Sequence, residues 1–468
     1  MTRCHLLNPL DALFLAIDGA WRRCGYPGAE IHWYCELKGE IDVPGLCRAL
    51  QALYRLYPAT AGRLTRSGCT GRITWRLDGG PIDPQRAVSL RALDPPTDDE
   101  LHRQIELLLN SRLDPAARPP LQFTIFRGRP AGDFLVLRWP HALMDAHGAA
   151  TIVATLLRLY EERPDPRTLD SLGDERRTDF GVLGPPLSLP ACLRLLGRGA
   201  GSRRTRVEGT GTRRCRRGAW RDIRPGAPAC GAGAARVRFY VRRLSREQYA
   251  QVRATAIQVC GLARTSDFVR ACAICALHEV LGAPAAPESG YSTLLLVDNR
   301  RRRDPTPVCH NVFSTLPVLV RSTIAADRRR VADLFQDAAA QTLRPGVLER
   351  RLAGLTLLAR VPTGILARLL AHALRAGRSP LPIGLIHPPS LPLTFMHLFP
   401  RPLKTFCGAE LVNLFGARPG IPADRLVVNV STAQERMNIS GIWIEPCVPR
   451  RCVEAFLDRF VALLTDPR

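Results

Sequence analysis

Between Phe134 and Arg158 the apolar period changes, and that change constrains the fold more tightly than any other feature of the chain. Phe134-Leu135-Val136-Leu137-Arg138 is an apolar run of strand length, whereas Ala149 to Arg158 carries its apolar residues at helical spacing. The segment that joins them is Trp139-Pro140-His141-Ala142-Leu143-Met144-Asp145-Ala146-His147-Gly148. A strand that passes into a helix through so short a loop leaves His141 at the strand end and lets Asp145, four residues on, turn back across the loop. An imidazole held there can take a proton from an attacking hydroxyl, amine or thiol, provided its tautomer and orientation are fixed. Asp145 is suited to fix the loop. The same residues also suit a packed core histidine beside a strand. His147 reads as an exposed or helix-capping neighbour.

The elements before this junction alternate strand and helix. An apolar opening segment, Asn8 to Leu15, precedes a strand over Ile31 to Leu37 and an amphipathic helix over Val43 to Tyr57 that stops at Pro58. Arg72 to Leu77 predicts a strand, Asp98 to Leu113 an acid-started helix, and Leu121 to Arg127 a strand that turns at Gly128 to Asp133 into the run before His141. From about Glu161 to Ala235 the periodicity fades and Gly and Pro accumulate. Arg194 to Arg224 holds eleven Arg against Glu208 and Asp222, a composition expected of an exposed crossover, with a polybasic contact for lipid or carrier as the other reading. Leu187 to Leu196 within it has the pattern of an amphipathic helix suited to a membrane face or to capping a tunnel.

Regular structure resumes with a strand from Val237 to Val241, a helix opened by Ser245, and a longer helix, Phe268 to Leu281, capped by Thr265-Ser266-Asp267. A strand over Ser292 to Asp298 runs into Asn299 and four arginines, Arg300 to Arg303, and His310-Asn311-Val312-Phe313 begins another strand. Helical patterns follow over Ala326 to Thr342 and over Leu348 to Leu374, the second broken by Pro362, and Pro380 to Pro392 is a proline-rich loop. The chain closes with strands over Leu393 to Phe399, Ala409 to Phe415, Arg425 to Ser431 and Arg436 to Trp443, then a helix over Val453 to Leu464. Ser431 or Thr432 is a candidate to offer a hydroxyl to a developing oxyanion.

At 468 residues the chain exceeds one ordinary core and suits two domains. We divide it into a lobe over 1–185 with the His141 junction, a basic crossover over 186–235, and a second lobe over 236–468. The formal charge of +24 is carried almost wholly by Arg, Lys38 and Lys404 being the only lysines, which points to a coding bias as much as to phosphate contacts. Nucleic acid is not the expected partner; an acidic carrier protein, a phosphate-bearing donor or an anionic lipid surface suits this charge. Fifteen cysteines without a repeating framework suggest reduced thiols, and Cys272-Ala273-Ile274-Cys275, inside an apolar helical pattern, suggests core packing rather than metal. No run of eighteen uncharged apolar residues and no signal-peptide core is present, so a cytoplasmic protein, with peripheral membrane contact left open, is expected.

His141-x-x-x-Asp145, followed by Gly148, resembles the active-site motif of the chloramphenicol-acetyltransferase-like acyltransferases, which include condensation domains, alcohol acetyltransferases and wax ester synthases. Gly39 to Asp42 with the helix to Tyr57-Pro58, the strand, turn and strand before His141, the opening Pro9-Leu10-Asp11-Ala12-Leu13-Phe14-Leu15, and the final hairpin are similar to the same family. Pro140 stands where many members carry a second His, and Ala146 where many carry Gly directly after the Asp. The resemblance implies a mixed α/β fold of two lobes with an active-site tunnel between them. It implies His141 as general base and Asp145 as its structural organiser, with Arg300 from the second half as the partner of Asp145 and with Gly148 and Asn311 in support; His310 stands where the family has Gly. It further implies transfer of an acyl group from acyl-CoA or an acyl carrier protein to a hydroxyl acceptor, without bound cofactor or metal. Amide formation of the condensation type, and a non-catalytic basic scaffold that binds membrane or nucleic acid, are the alternatives.

Overall fold

The computed structural model describes residues 3–66, 73–77, 83–164, 188–200, 236–282, 290–298, 300, 310–342, 347–375, 391–399, 402–418 and 426–467, and every structural statement below concerns these. Most of the proposed crossover, Arg301 to Arg303 and most of the proline-rich 380–392 segment lie outside them.

A six-stranded sheet forms the first lobe. Its order is β12 (Thr405–Phe406), β13 (Ala409–Ala417), β2 (Glu30–Lys38), β7 (Phe134–Pro140), β6 (Gln122–Arg127) and β5 (Val88–Ala92). All seven residues of β7 are buried, as the unbroken apolar run requires of a strand covered on both faces. One face packs under α2 (Val43–Leu56) and α4 (Ala146–Glu162), where Leu46, Leu50, Leu53, Ile152 and Leu156 meet Trp33, Leu137 and Trp139. The opposite face buries Tyr34, Phe134 and Val136 against α3 (Asp98–Asn110) and against Phe239 and Ile442 of the second lobe. The β6 to β7 turn needs its glycine: Gly132 has φ +112, and a Cβ there would meet the backbone of Leu37 and Gly39 at 2.6 Å.

The second lobe is built on a four-stranded sheet in the order β11 (Leu393–His397), β14 (Leu426–Ala433), β15 (Arg436–Glu445) and β8 (Arg236–Leu244). Its core joins α6 (Arg246–Cys260), α7 (Thr265–Leu281), α8 (Arg328–Thr342) and α11 (Arg450–Thr465). Strands β9 (Gly290–Asp298) and β10 (Phe313–Arg321) form an antiparallel pair that packs beside it. β13 departs from the simple division of the chain. It comes from the second half but pairs antiparallel with β2, so the first sheet is completed by a strand more than 370 positions downstream.

A third cluster closes over the site. α1 (Pro9–Arg23) is capped by Asn8, whose Oδ1 accepts from the backbone N–H of Leu10 and Asp11. It packs on α9 (Val347–Arg360) and α10 (Thr363–Arg375). These two helices are the apolar segment expected as one element broken at Pro362, and they turn by 104° at the break. Among the described residues no single helix is long and apolar enough to cross a membrane. Leu189–Ala200 forms the expected amphipathic helix α5, with Cys192 buried and Leu189 and Leu193 exposed.

Two expectations are corrected. α7 begins at Thr265 itself, and its N-cap, Arg264, makes no side-chain capping bond, so Thr265-Ser266-Asp267 is its first turn rather than its cap. Cys447 is disulfide-bonded, so the thiols are not uniformly reduced. Cys272 and Cys275 are free and buried in the core of α7, as their apolar setting suggested.

Candidate functional site

Strand β7 ends at Pro140, and the chain turns at once: the N–H of His141 donates to the carbonyl of Ala29 at 2.8 Å and that of Leu143 to Pro140 at 2.8 Å. Trp139 Nε1 donates to the Met144 carbonyl at 3.1 Å and pins the loop from beneath. Asp145 then caps α4, its Oδ1 accepting from the N–H of Gly148 at 2.8 Å. Hydrogen bonds thus hold both ends of the loop, from the backbone at His141 and from the Asp145 side chain at the start of α4.

The Asp145 carboxylate has no vacant acceptor position. Besides Gly148, Oδ1 accepts from Arg300 Nη2 at 2.8 Å, while Oδ2 accepts from Arg300 Nη1 at 3.0 Å and from the N–H of Val312 at 3.0 Å. Four donors saturate the lone pairs of a carboxylate. Asp145 therefore holds the loop to the β9 to β10 segment and has nothing left to offer the His141 ring. Burial is the largest single influence on Arg300 and works against its charge, but Asp145 and Asp298, the latter 3.1 Å from Nη1, together outweigh it and keep the guanidinium above its ordinary pKa. Arg300 Nη2 also donates to the His310 carbonyl at 2.7 Å.

Asn311 fastens His141 from the other side. Its Nδ2 donates to the His141 carbonyl at 2.6 Å and to Asp11 Oδ1 at 2.7 Å, and its own carbonyl accepts from Asn8 Nδ2 at 3.2 Å. Asp11 is fully buried, and that burial raises its pKa well above the usual carboxylate range against the pull of Asn311. His310 lies beside it, with Nδ1 3.5 Å from Asp11 Oδ2.

The His141 ring is stacked on Phe14 at 3.6 Å between centroids and 10° between planes, with Phe313 at 6.1 Å. It is 8 % exposed. Nδ1 is enclosed and has no hydrogen bond of good geometry, the carbonyl of its own residue being the nearby group that favours its proton; Nε2 is not among the enclosed nitrogens. Burial is the main force on its titration and the charge of Arg418 the second, and together they lower its pKa to about 3. The imidazole is neutral over the whole physiological range. Such a ring can act as a proton acceptor without first losing a proton of its own.

The structure thus brings together His141, Asp145, Gly148, Arg300 and Asn311. It sets Ser431 and Thr432 apart from them. Ser431, on β14, accepts from the N–H of Gly416 at 3.4 Å, and the Thr432 hydroxyl lies 2.7 Å from His397 Nδ1 in a cavity of about 770 Å³ that His141 does not line. No hydrogen bond among the described residues joins either hydroxyl to His141. Phe14, Asp11, Phe313 and Arg418 belong to the site and were not among the expected site residues; the family-like wording from Pro9 to Leu15 holds Asp11 and Phe14 and was the one signal on α1.

No protein-family model matches the chain. No curated protein matches it by sequence. Solved structures do match along the whole length. The trichothecene 15-O-acetyltransferase TRI3 from Fusarium sporotrichioides superposes with a TM-score of 0.63 at 11% identity over 100% of this chain and 95% of its own. The epimerization domain from the third module of tyrocidine synthetase B gives 0.61 at 12% identity over 99% and 96%. The wax ester synthase/diacylglycerol acyltransferase from Marinobacter aquaeolei VT8 gives 0.55 at 15% identity over 98% and 98%. At these identities the likeness is one of fold: the chain has the two-lobed mixed α/β architecture of chloramphenicol-acetyltransferase-like proteins. Neighbours named for acetyl transfer, ester synthesis and epimerization share that architecture, so the chemistry has to be argued from the site.

Proposed function

We propose that the chain is an acyltransferase that moves an acyl group from a thioester, acyl-CoA or an acyl carrier protein, to a hydroxyl acceptor, with His141 as general base. The observation that carries this reading is the neutral, immobilised imidazole: stacked on Phe14, tied through its carbonyl to Asn311, and left with Nε2 as its unenclosed nitrogen. In the proposed step Nε2 takes the acceptor's hydroxyl proton as the oxygen attacks the thioester carbonyl. The tetrahedral intermediate then collapses, the carbon to sulfur bond breaks, and the imidazolium returns the proton to the departing thiolate. A ring with so low a pKa holds a proton only while negative charge is present on the reacting oxygen or sulfur, which couples the transfer to the attack.

Asp145 and Arg300 are positioning residues in this scheme. An alcohol or lipid is the proposed acceptor, and the reaction is proposed to run in a passage between the lobes. No group of three or more His, Cys, Asp or Glu side chains suited to a metal occurs among the described residues; the scheme uses none. Peripheral membrane contact is part of the proposal, supported by α10, where Ile365 and Leu369 are 50 % and 54 % exposed beside Arg368.

The test measures thiol release from a panel of acyl-CoA donors with alcohol and amine acceptors in parallel. Ester formation that falls by about 10²- to 10⁴-fold in His141→Ala, with the fold intact, is expected; unchanged turnover in that variant defeats the assignment. Product formed with amines alone would move the reading to amide formation.

A further inference from the structure

A second cavity, of about 530 Å³, lies at the β5 edge of the first sheet beside the C-terminal end of α3. Its wall is unusual in charge: Arg86, Arg91, Arg112, Arg118 and Arg138 line it, and Asp114 is the one carboxylate among its lining residues. Four of the arginines are exposed, and among the described residues none of these four forms an ion pair with a carboxylate. Arg86 Nη2 donates to the Ala117 carbonyl at 3.1 Å, which fixes its head at the rim.

Arg138 differs from the others. It is 5 % exposed, its Nη2 donates to Glu30 at 2.7 Å, and its Nη1 donates to the Ser111 hydroxyl at 3.0 Å. Its Nε is buried and has no partner. Glu30 meets the charge of Arg138, and Asp114 is the one carboxylate beside the four exposed arginines, so the lining residues counted with Glu30 carry an excess of three positive charges. Crowding like charges around a concavity is unfavourable unless an anion shares it. Ala87 and Leu108 supply apolar wall between the arginines.

We propose that this cavity binds a phosphorylated small molecule. The volume is that of a ligand pocket rather than of a single ion, and several guanidinium forks match the geometry and charge of phosphate oxygens. The site is separate from the His141 constellation: none of its lining residues belongs to that constellation, and it stands whether or not the chain transfers acyl groups. Two sources can present the same chemistry, the nucleotide phosphates of a thioester donor or an unrelated phosphorylated metabolite.

The experiment is calorimetric titration of the full chain with inorganic pyrophosphate. One-to-one binding is expected, weakened by about tenfold or more in Arg112→Ala/Arg118→Ala. Arg329→Ala/Arg451→Ala removes the same charge from exposed helical positions elsewhere and is expected to leave binding within about twofold. Absence of binding, or equal weakening in the two double variants, overturns the proposal. Circular dichroism and melting of each variant verify that the fold is retained; if the first pair unfolds, Arg86→Ala/Arg91→Ala replaces it under the same criteria. Competition by adenosine 3′,5′-bisphosphate assigns the cavity to a donor nucleotide, and binding of pyrophosphate without that competition assigns it to a separate metabolite. Both outcomes keep the phosphate site.

Discussion

Asp145 and Arg300, 155 positions apart in the chain, meet through two hydrogen bonds of 2.8 and 3.0 Å, one to each carboxylate oxygen. The pair joins the loop after β7 to the segment between β9 and β10, so the two halves of the sequence set the geometry of the site together. Because the remaining lone pairs of Asp145 go to Gly148 and Val312, its role is architectural.

Arg300→Met is expected to cost about 3–5 kcal/mol, because it leaves a buried carboxylate without its cation. Chemical unfolding measures this. Asp145→Asn combined with Arg300→Met should recover part of the loss, giving a coupling energy clearly different from zero in a double-mutant cycle. Additive losses would show that the pair does not act as a unit.

Asn311→Ala removes the donor to the His141 carbonyl and to Asp11. We expect a stability loss of about 1–3 kcal/mol from the stranded acceptors. Under the proposed reaction kcat should fall more than KM rises, since the residue orients the base without lining a binding surface; steady-state kinetics on the same donor panel would read the split.

Phe14→Ala opens the stacked face of His141 to water. Loss of the aromatic contact should destabilise the fold by about 1–3 kcal/mol. Because burial is the leading cause of the low His141 pKa, the ring should titrate closer to its ordinary 6.5 in this variant, while Phe14→Leu keeps most of the shift. An NMR titration of the imidazole carbons would follow both.

The His141 shift also predicts a pH dependence of stability. Its folded-state value, about 3, lies below the ordinary 6.5 of an exposed imidazole, so between those limits protons bind the unfolded chain and stability falls as pH falls. At pH 5 the contribution is about 2 kcal/mol. His141→Gln should therefore be relatively more stable at pH 5 than at pH 7.5 by roughly that amount. His32, buried and lowered to about 4, leaves a similar acid dependence in place in the variant. Parallel urea titrations at the two pH values check it.

The local elements follow from local patterns. The seven-residue apolar strand, the loop whose Asp caps the next helix, and the amphipathic α2 and α11 are each set by period, capping and turn chemistry within a few residues, and so are legible in the chain itself. His141 and Asp145 were legible for the same reason, being fixed by a junction whose geometry is local. Arg300 and Asn311 were reached through family resemblance rather than through period or spacing.

The rest needed the tertiary structure, because it depends on pairings with no local signature. Residues of period two and 3.6 tell which face of an element is apolar but not which distant face covers it. Hence nothing in the chain alone indicated that β13 would cross to complete the first sheet, that Phe14 would stack on the imidazole, or that Thr432 would turn to His397 in a different cavity. The low pKa of His141 is of the same kind: it arises from burial and from the charge of Arg418, 277 positions away in the sequence, and only packing brings these to one ring.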